Sequence, residues 1–135
     1  MPEQAVMVVW VAVGGGVGGL GRYWISGWIS RWRRGPFPWG TLAVNWIGAG
    51  AAGIIAARLS TGAFDAGGAD AVAALLLVGV CGAFTTVSSF SLESLGLVRD
   101  GQAGRAAAYV LATVAGCLIM VAVGFSLAGG IGEVS

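Results

Sequence analysis

Four apolar runs, each long enough to cross a hydrocarbon core, leave this chain little room to be anything but a membrane bundle. They cover about residues 5–30, 40–57, 71–98 and 106–127, and a helix needs about 20 residues to span a bilayer. Three polar connections separate them: RWRRGPFPW at 31–39, LSTGAFDAGGAD at 59–70 and RDGQAG at 99–104. Only 10% of the 135 residues are charged and mean hydropathy is +0.87, whereas a soluble domain is about a quarter charged. The expected fold class is therefore all-α integral membrane, one domain of four transmembrane helices over residues 1–135. MPEQAVMVVWVAV lacks the basic start of a cleavable signal peptide, so the first run is expected to belong to the mature protein.

Charge placement suggests an orientation. Arg31, Arg33, Arg34, Arg99 and Arg105 share the side of the first and third connections, while the other side has Arg58 with Glu3, Asp65, Asp70 and Glu133. By the positive-inside rule this bias puts both termini outside. A net charge of +1 gives no footprint for nucleic acid. All seven basic residues are Arg, a weak hint of a GC-rich bacterial genome. No histidine is present, which removes the commonest metal ligand and neutral-pH proton switch. Cys81 and Cys117 both sit in apolar stretches and read as small buried side chains. Gly14, Gly16 and Gly19 fit GxGxxG literally, without the strand–turn–helix context of a nucleotide loop. GGGVGGLG (14–21) and GAGAAG (48–53) place small residues at four-residue spacing and read better as close helix packing in lipid.

The polar residues inside the spans carry the functional signal, because such groups usually face a bundle interior or a wet pathway. Arg22 in GLGRYW either snorkels to the interface or faces such a pathway. Asn45 is too short to snorkel, so it bonds another helix or serves as a ligand on a permeation path. Tyr109, Thr113 and Cys117 form one helical stripe at i, i+4, i+8; either the Thr bonds its own i−4 carbonyl or the stripe lines a narrow track. CGAFTTVSSFSLES at 81–94 packs six hydroxyls and Glu93 into the third span. Gly79 and Gly82 weaken the helix where that cluster begins. Irregular backbone at membrane depth is tolerated only where protein or water satisfies it. The stretch therefore reads as a break at a functional centre, with carbonyls near Gly82–Thr85 suited to a hard cation such as Na⁺.

Three ordered stretches, GGxGGLGRYW at 15–24, PWGTLAVNWIG at 38–48 and GVCGAFTTVSSFSLES at 79–94, together resemble the Fluc/CrcB fluoride channels. The third is similar to that family's GxxGxxTTFSTFSxE signature. The resemblance implies an antiparallel dimer with two pores, through which fluoride leaves the cytoplasm down its gradient, in a bacterial inner membrane. It also implies a structural, untransported Na⁺ on the two-fold axis, held by the backbone carbonyls of Gly82 and Thr85 of both subunits. Asn45, Phe90 and Tyr109 match the family's pore positions, and Thr41, Arg22 and Glu93 match recurring ones. Ser88, Ser89 and Thr113 are the hydroxyls expected beside the fluoride path. These residue types suit an anion: amide and hydroxyl groups donate hydrogen bonds, and phenyl rings offer positive edges.

Two departures stand out. Val87 occupies the family's first pore-phenylalanine position, with Phe84 close by, and Thr113 and Cys117 stand where serines are frequent. Val87 and the arginine bias together suggest a subunit of fixed orientation, so two pairings stand open: a homodimer, or an antiparallel heterodimer with an oppositely inserted homologous subunit. A small multidrug exporter would carry a carboxylate deep in the first helix, where only Arg22 is charged here. A non-transport membrane subunit would explain the glycines but not the hydroxyl cluster. An embedded hydrolase using Ser88 or Ser89 would lack a base in view, so no enzymatic activity is expected.

Overall fold

The computed structural model describes residues 2–63, 68–129 and 132; Asp65 and Glu133 of the charge argument lie outside them. Every regular element among the described residues is helical. Helix α1 runs Pro2–Trp32 and α2 runs Trp39–Ser60. The third span is two helices: α3, residues 69–84, and α4, Val87–Arg99. Helix α5, Ala103–Leu127, completes four segments long and apolar enough to cross a membrane. The GxGxxG glycines lie inside continuous α1, so no nucleotide loop forms there.

Helix α2 is the centre of the bundle. Ten of its residues are buried, from Gly40 to Ala57, against two in α1. Lipid is as apolar as leucine, so close backbone approach must replace the hydrophobic drive between these helices. The glycines make it possible. Gly14 and Gly18 of α1 press on backbone at Leu75 and Val80 of α3, and a Cβ on Gly79 would lie 2.9 Å from the Gly14 Cα. Gly53 and Gly124 bring α2 and α5 together through the Val121 and Gly50 carbonyls. Trp46 lies across Gly116, its indole Nε1 donating to the Ala112 carbonyl at 3.0 Å. By contrast, Gly15, Gly16 and Gly19 face open space. Gly53→Ala should therefore destabilise the bundle by about 1–3 kcal/mol through overpacking against a backbone atom that cannot rotate away. Gly16→Ala should instead stabilise it by up to about 1 kcal/mol through helix propensity alone. Thermal midpoints of the two variants in detergent would move in opposite directions.

Local chemistry fixes the helix ends. After α4 and α2, Gly101 and Gly62 adopt φ of +74° and +67°. The next amides, of Gln102 and Ala63, donate back to the Leu97 and Arg58 carbonyls at 2.8 and 3.0 Å, closing Schellman turns that an L side chain would strain. Helix α3 holds one feature that its sequence does not announce: Ala73–Cys81 is π-helical. This is the segment that packs on the α1 glycines, and π turns are rare and tend to adjoin functional positions. Here the π segment ends just before the break.

Candidate ion pathway

The break itself is two residues, Thr85 and Thr86, both in extended backbone (ψ 157° and 122°). Two side chains open it. In a continuous helix the Thr86 N–H would bond the Gly82 carbonyl. It donates instead to Asn45 Oδ1 at 2.8 Å, while Asn45 Nδ2 donates to the Thr86 carbonyl at 3.2 Å. The Ser89 N–H, which would return to the Thr85 carbonyl, donates to Thr86 Oγ1 at 3.2 Å as the N-cap of α4. Thus the carbonyls of Gly82 and Thr85 lose their helical donors. A hard cation requires oxygen ligands of that kind, so these residues fit a Na⁺ chemically. Gly82 is exposed.

The hydroxyls of the third span divide into two groups. Thr85, Ser91 and Ser94 bond carbonyls four residues back, at Cys81, Val87 and Phe90, by 3.0, 2.9 and 2.7 Å. Their side chains are thereby occupied by their own helix. Ser88 and Ser89 gather instead around Thr86 Oγ1, at 3.2 and 3.3 Å. Thr86 is the residue sequence reasoning missed. It resembles its hydroxylic neighbours in composition, yet it alone is buried, caps a helix and exchanges two hydrogen bonds with another span.

Thr86 also joins two recesses. One, of about 420 Å³, is lined by Asn45, Thr85, Val87, Phe90, Thr113 and Cys117 among others. Thr113 Oγ1 is buried there without a hydrogen-bond partner, so the back-bonding alternative for Thr113 is not the one adopted. Val87 is 77% exposed at the rim. Phe84 is not part of that lining; its ring packs between α1 and α2, 3.5 Å from where a Cβ on Gly21 would stand and 3.2 Å from one on Gly48. The second recess, of about 370 Å³, brings Arg22 and Ser26 of α1 to Thr41, Thr86 and Ser89. Arg22 is half-buried there.

Glu93 organises the third cluster. Thr41 Oγ1 donates to its Oε1 and the Tyr109 hydroxyl to its Oε2, each at 2.8 Å. Tyr109 is fully buried. Phe37 and Phe90 pack on its ring at centroid distances of 5.6 and 5.5 Å. Three residues matched separately from sequence therefore form one hydrogen-bonded unit.

Four membrane spans, a third span opened at its middle, and two recesses meeting at the opening define a small multi-pass membrane protein. The chain belongs to the family described as "CrcB-like protein, Camphor Resistance (CrcB)", whose profile matches residues 9–125. Among its relatives, a "Fluoride-specific ion channel FluC" of Methylocella silvestris is 34% identical over 126 residues, covering 93% of this chain and 95% of the relative. A "Fluoride-specific ion channel FluC 2" of Rhodopseudomonas palustris is 42% identical over 130 residues, covering 95% and 97%. One from Opitutus terrae, also named a fluoride-specific ion channel, is 38% identical over 93% and 94%.

Proposed function

We propose that this chain is a subunit of a fluoride-specific channel of the bacterial inner membrane, through which fluoride leaves the cytoplasm down its own gradient. The observation that carries the reading is the unpartnered Thr113 hydroxyl, buried in a recess with Asn45 and Phe90. A buried donor without an acceptor is expensive, and a passing anion would satisfy it. Fluoride is small and tightly hydrated, so water must be replaced by donors in a narrow space. Arg22 with Thr41, Thr86 and Ser89 would attract the anion into the second recess. The Asn45 amide and the Thr113 hydroxyl then donate, and the Phe90 ring edge adds a weak positive contact. Tyr109 and Thr41 already donate to Glu93, so either hydroxyl would have to release that carboxylate before it could donate to the anion. The absence of a deep cationic well favours conduction over trapping.

The Gly82 and Thr85 carbonyls would hold a structural Na⁺, which supplies a fixed positive charge that offsets anion burial and ties two subunits together. The exposure of Gly82 and Val87 supports a break that faces a second, antiparallel subunit. Val87 favours a variant of this reading. An oppositely inserted homologous subunit would supply the aromatic edge that Val87 lacks, in keeping with the arginine bias.

Efflux from vesicles carrying the purified protein tests all of this. The expected result is rapid fluoride release with no chloride release, slowed when Na⁺ is removed and undriven by a Na⁺ gradient. Release only after a homologous subunit is added identifies the heterodimer. No release under either condition would refute the channel.

A further inference from the structure

The connection between α1 and α2 carries three arginines and no acid in RWRRGPFPW, and Arg31, Arg33 and Arg34 are all exposed. Beside them the end of α1 and the start of α2 leave a crevice of about 190 Å³, lined by Ile29, Arg33, Trp39, Leu42, Ala43 and Trp46. The Arg33 guanidinium lies 4.9 Å from the Trp39 ring centroid, a cation–π contact that fixes one positive charge at the crevice wall. A second recess of about 190 Å³ follows the same end of α1, where Tyr23, Trp24 and Trp28 surround Gly27 and Arg31 closes the row. Gly27 has nothing within 4 Å of a would-be Cβ, so the row contains an open notch. Both recesses share one plan: an aromatic or aliphatic wall beside an arginine, at the end of a membrane span.

That plan selects its occupant. A free anion would gain nothing from the apolar wall, and a hydrocarbon chain alone would gain nothing from the arginines. A phosphate attached to acyl chains uses both. A zwitterionic headgroup offsets its phosphate with an ammonium, whereas three arginines without an acid complement a net negative headgroup. We propose that this turn binds an anionic glycerophospholipid, its phosphate on Arg33 with Arg31 and Arg34 beside it, and one acyl chain along Ile29 and Ala43. The site is independent of the transport reading and would exist whether or not the chain conducts.

Quenching of tryptophan emission by brominated lipid tests it, with the full chain reconstituted in phosphatidylcholine vesicles. Brominated phosphatidylglycerol should quench at a several-fold lower fraction than brominated phosphatidylcholine. Arg33→Gln should reduce that preference about fivefold, the weight of one arginine near an anionic surface. Arg33→Lys should keep most of the preference, and so should Arg58→Gln at the far end of α2. If Arg33→Gln does not fold, the Arg31→Gln/Arg34→Gln pair replaces it, with the same direction expected. Equal quenching by the two lipids overturns the proposal, and so does an equal loss in the Arg33→Gln and Arg58→Gln variants. Competition by soluble glycerol phosphate would overturn the lipid as the source of the phosphate.

Discussion

Asn45→Ala is expected to cut fluoride efflux by about tenfold or more, and to change the backbone of a span that Asn45 does not belong to. Its carboxamide takes the Thr86 N–H at 2.8 Å and returns a donor to the Thr86 carbonyl at 3.2 Å. Without it, the Thr86 amide has two options. It can stay buried and unpaired, at about 1–3 kcal/mol, or it can swing back to the Gly82 carbonyl. The second option heals the helix and withdraws one of the two freed carbonyls. Either outcome removes a donor from the recess that holds Thr113, and a lost hydrogen bond of about 1.4 kcal/mol already corresponds to about tenfold. Asn45→Asp keeps an acceptor for the Thr86 N–H, but when ionised it sets a carboxylate oxygen against the Thr86 carbonyl at a buried site, and an unpaired buried charge is expensive. Its thermal midpoint should fall at least as far as that of the alanine variant, and its efflux comparably. Parallel efflux and unfolding measurements would check both variants; unchanged stability in the two would count against Asn45 as the residue that opens the break.

The same contact explains which parts of the molecule were legible in the sequence. The four spans follow from run length and apolarity, quantities that need no knowledge of neighbours. The vicinity of the break was legible too, because glycines next to hydroxyls mark weak helix wherever they occur. Its cause was not. Asn45 stands 41 positions before Thr86, so the diversion of one amide proton is a tertiary event with no local signature. The division of six similar hydroxyls into helix-bonded and gathered groups is equally tertiary. Thr86 and Thr85 differ by one position, but one faces Asn45 and the other its own preceding turn. The π-helical segment Ala73–Cys81 was also hidden, since its sequence, AALLLVGVC, satisfies any buried helix. The glycine motifs were half legible: Gly14 and Gly18 meet α3, whereas Gly16 and Gly19 of the same run face open space.

Glu93→Ala should be the most destabilising single change in the hydrogen-bonded cluster. Its partners Thr41 and Tyr109 lie 52 and 16 positions away, so the carboxylate ties α2, α4 and α5 at one point. Hydrogen bonds to a charged acceptor contribute about 1.5–3 kcal/mol each, and a buried hydroxyl left unpaired costs about 1–3 kcal/mol. Alanine strands the Tyr109 hydroxyl, which is fully buried between aromatic rings. A loss of about 2–5 kcal/mol is therefore expected. Glu93→Gln should lose much less, because its carbonyl still accepts from one hydroxyl and the other hydroxyl can turn to accept from its amide. Thr41→Val and Tyr109→Phe each remove one donor. Since both donors act on one carboxylate, the double variant should depart from additivity by about 0.5–3 kcal/mol. Additive single and double variants would show that the two hydroxyls bind Glu93 independently. Fluoride efflux supplies the second readout: if these hydroxyls also serve the anion, Tyr109→Phe should slow efflux more than its effect on the unfolding midpoint accounts for. A merely structural Tyr109 would lower the midpoint and leave the efflux rate per folded protein unchanged.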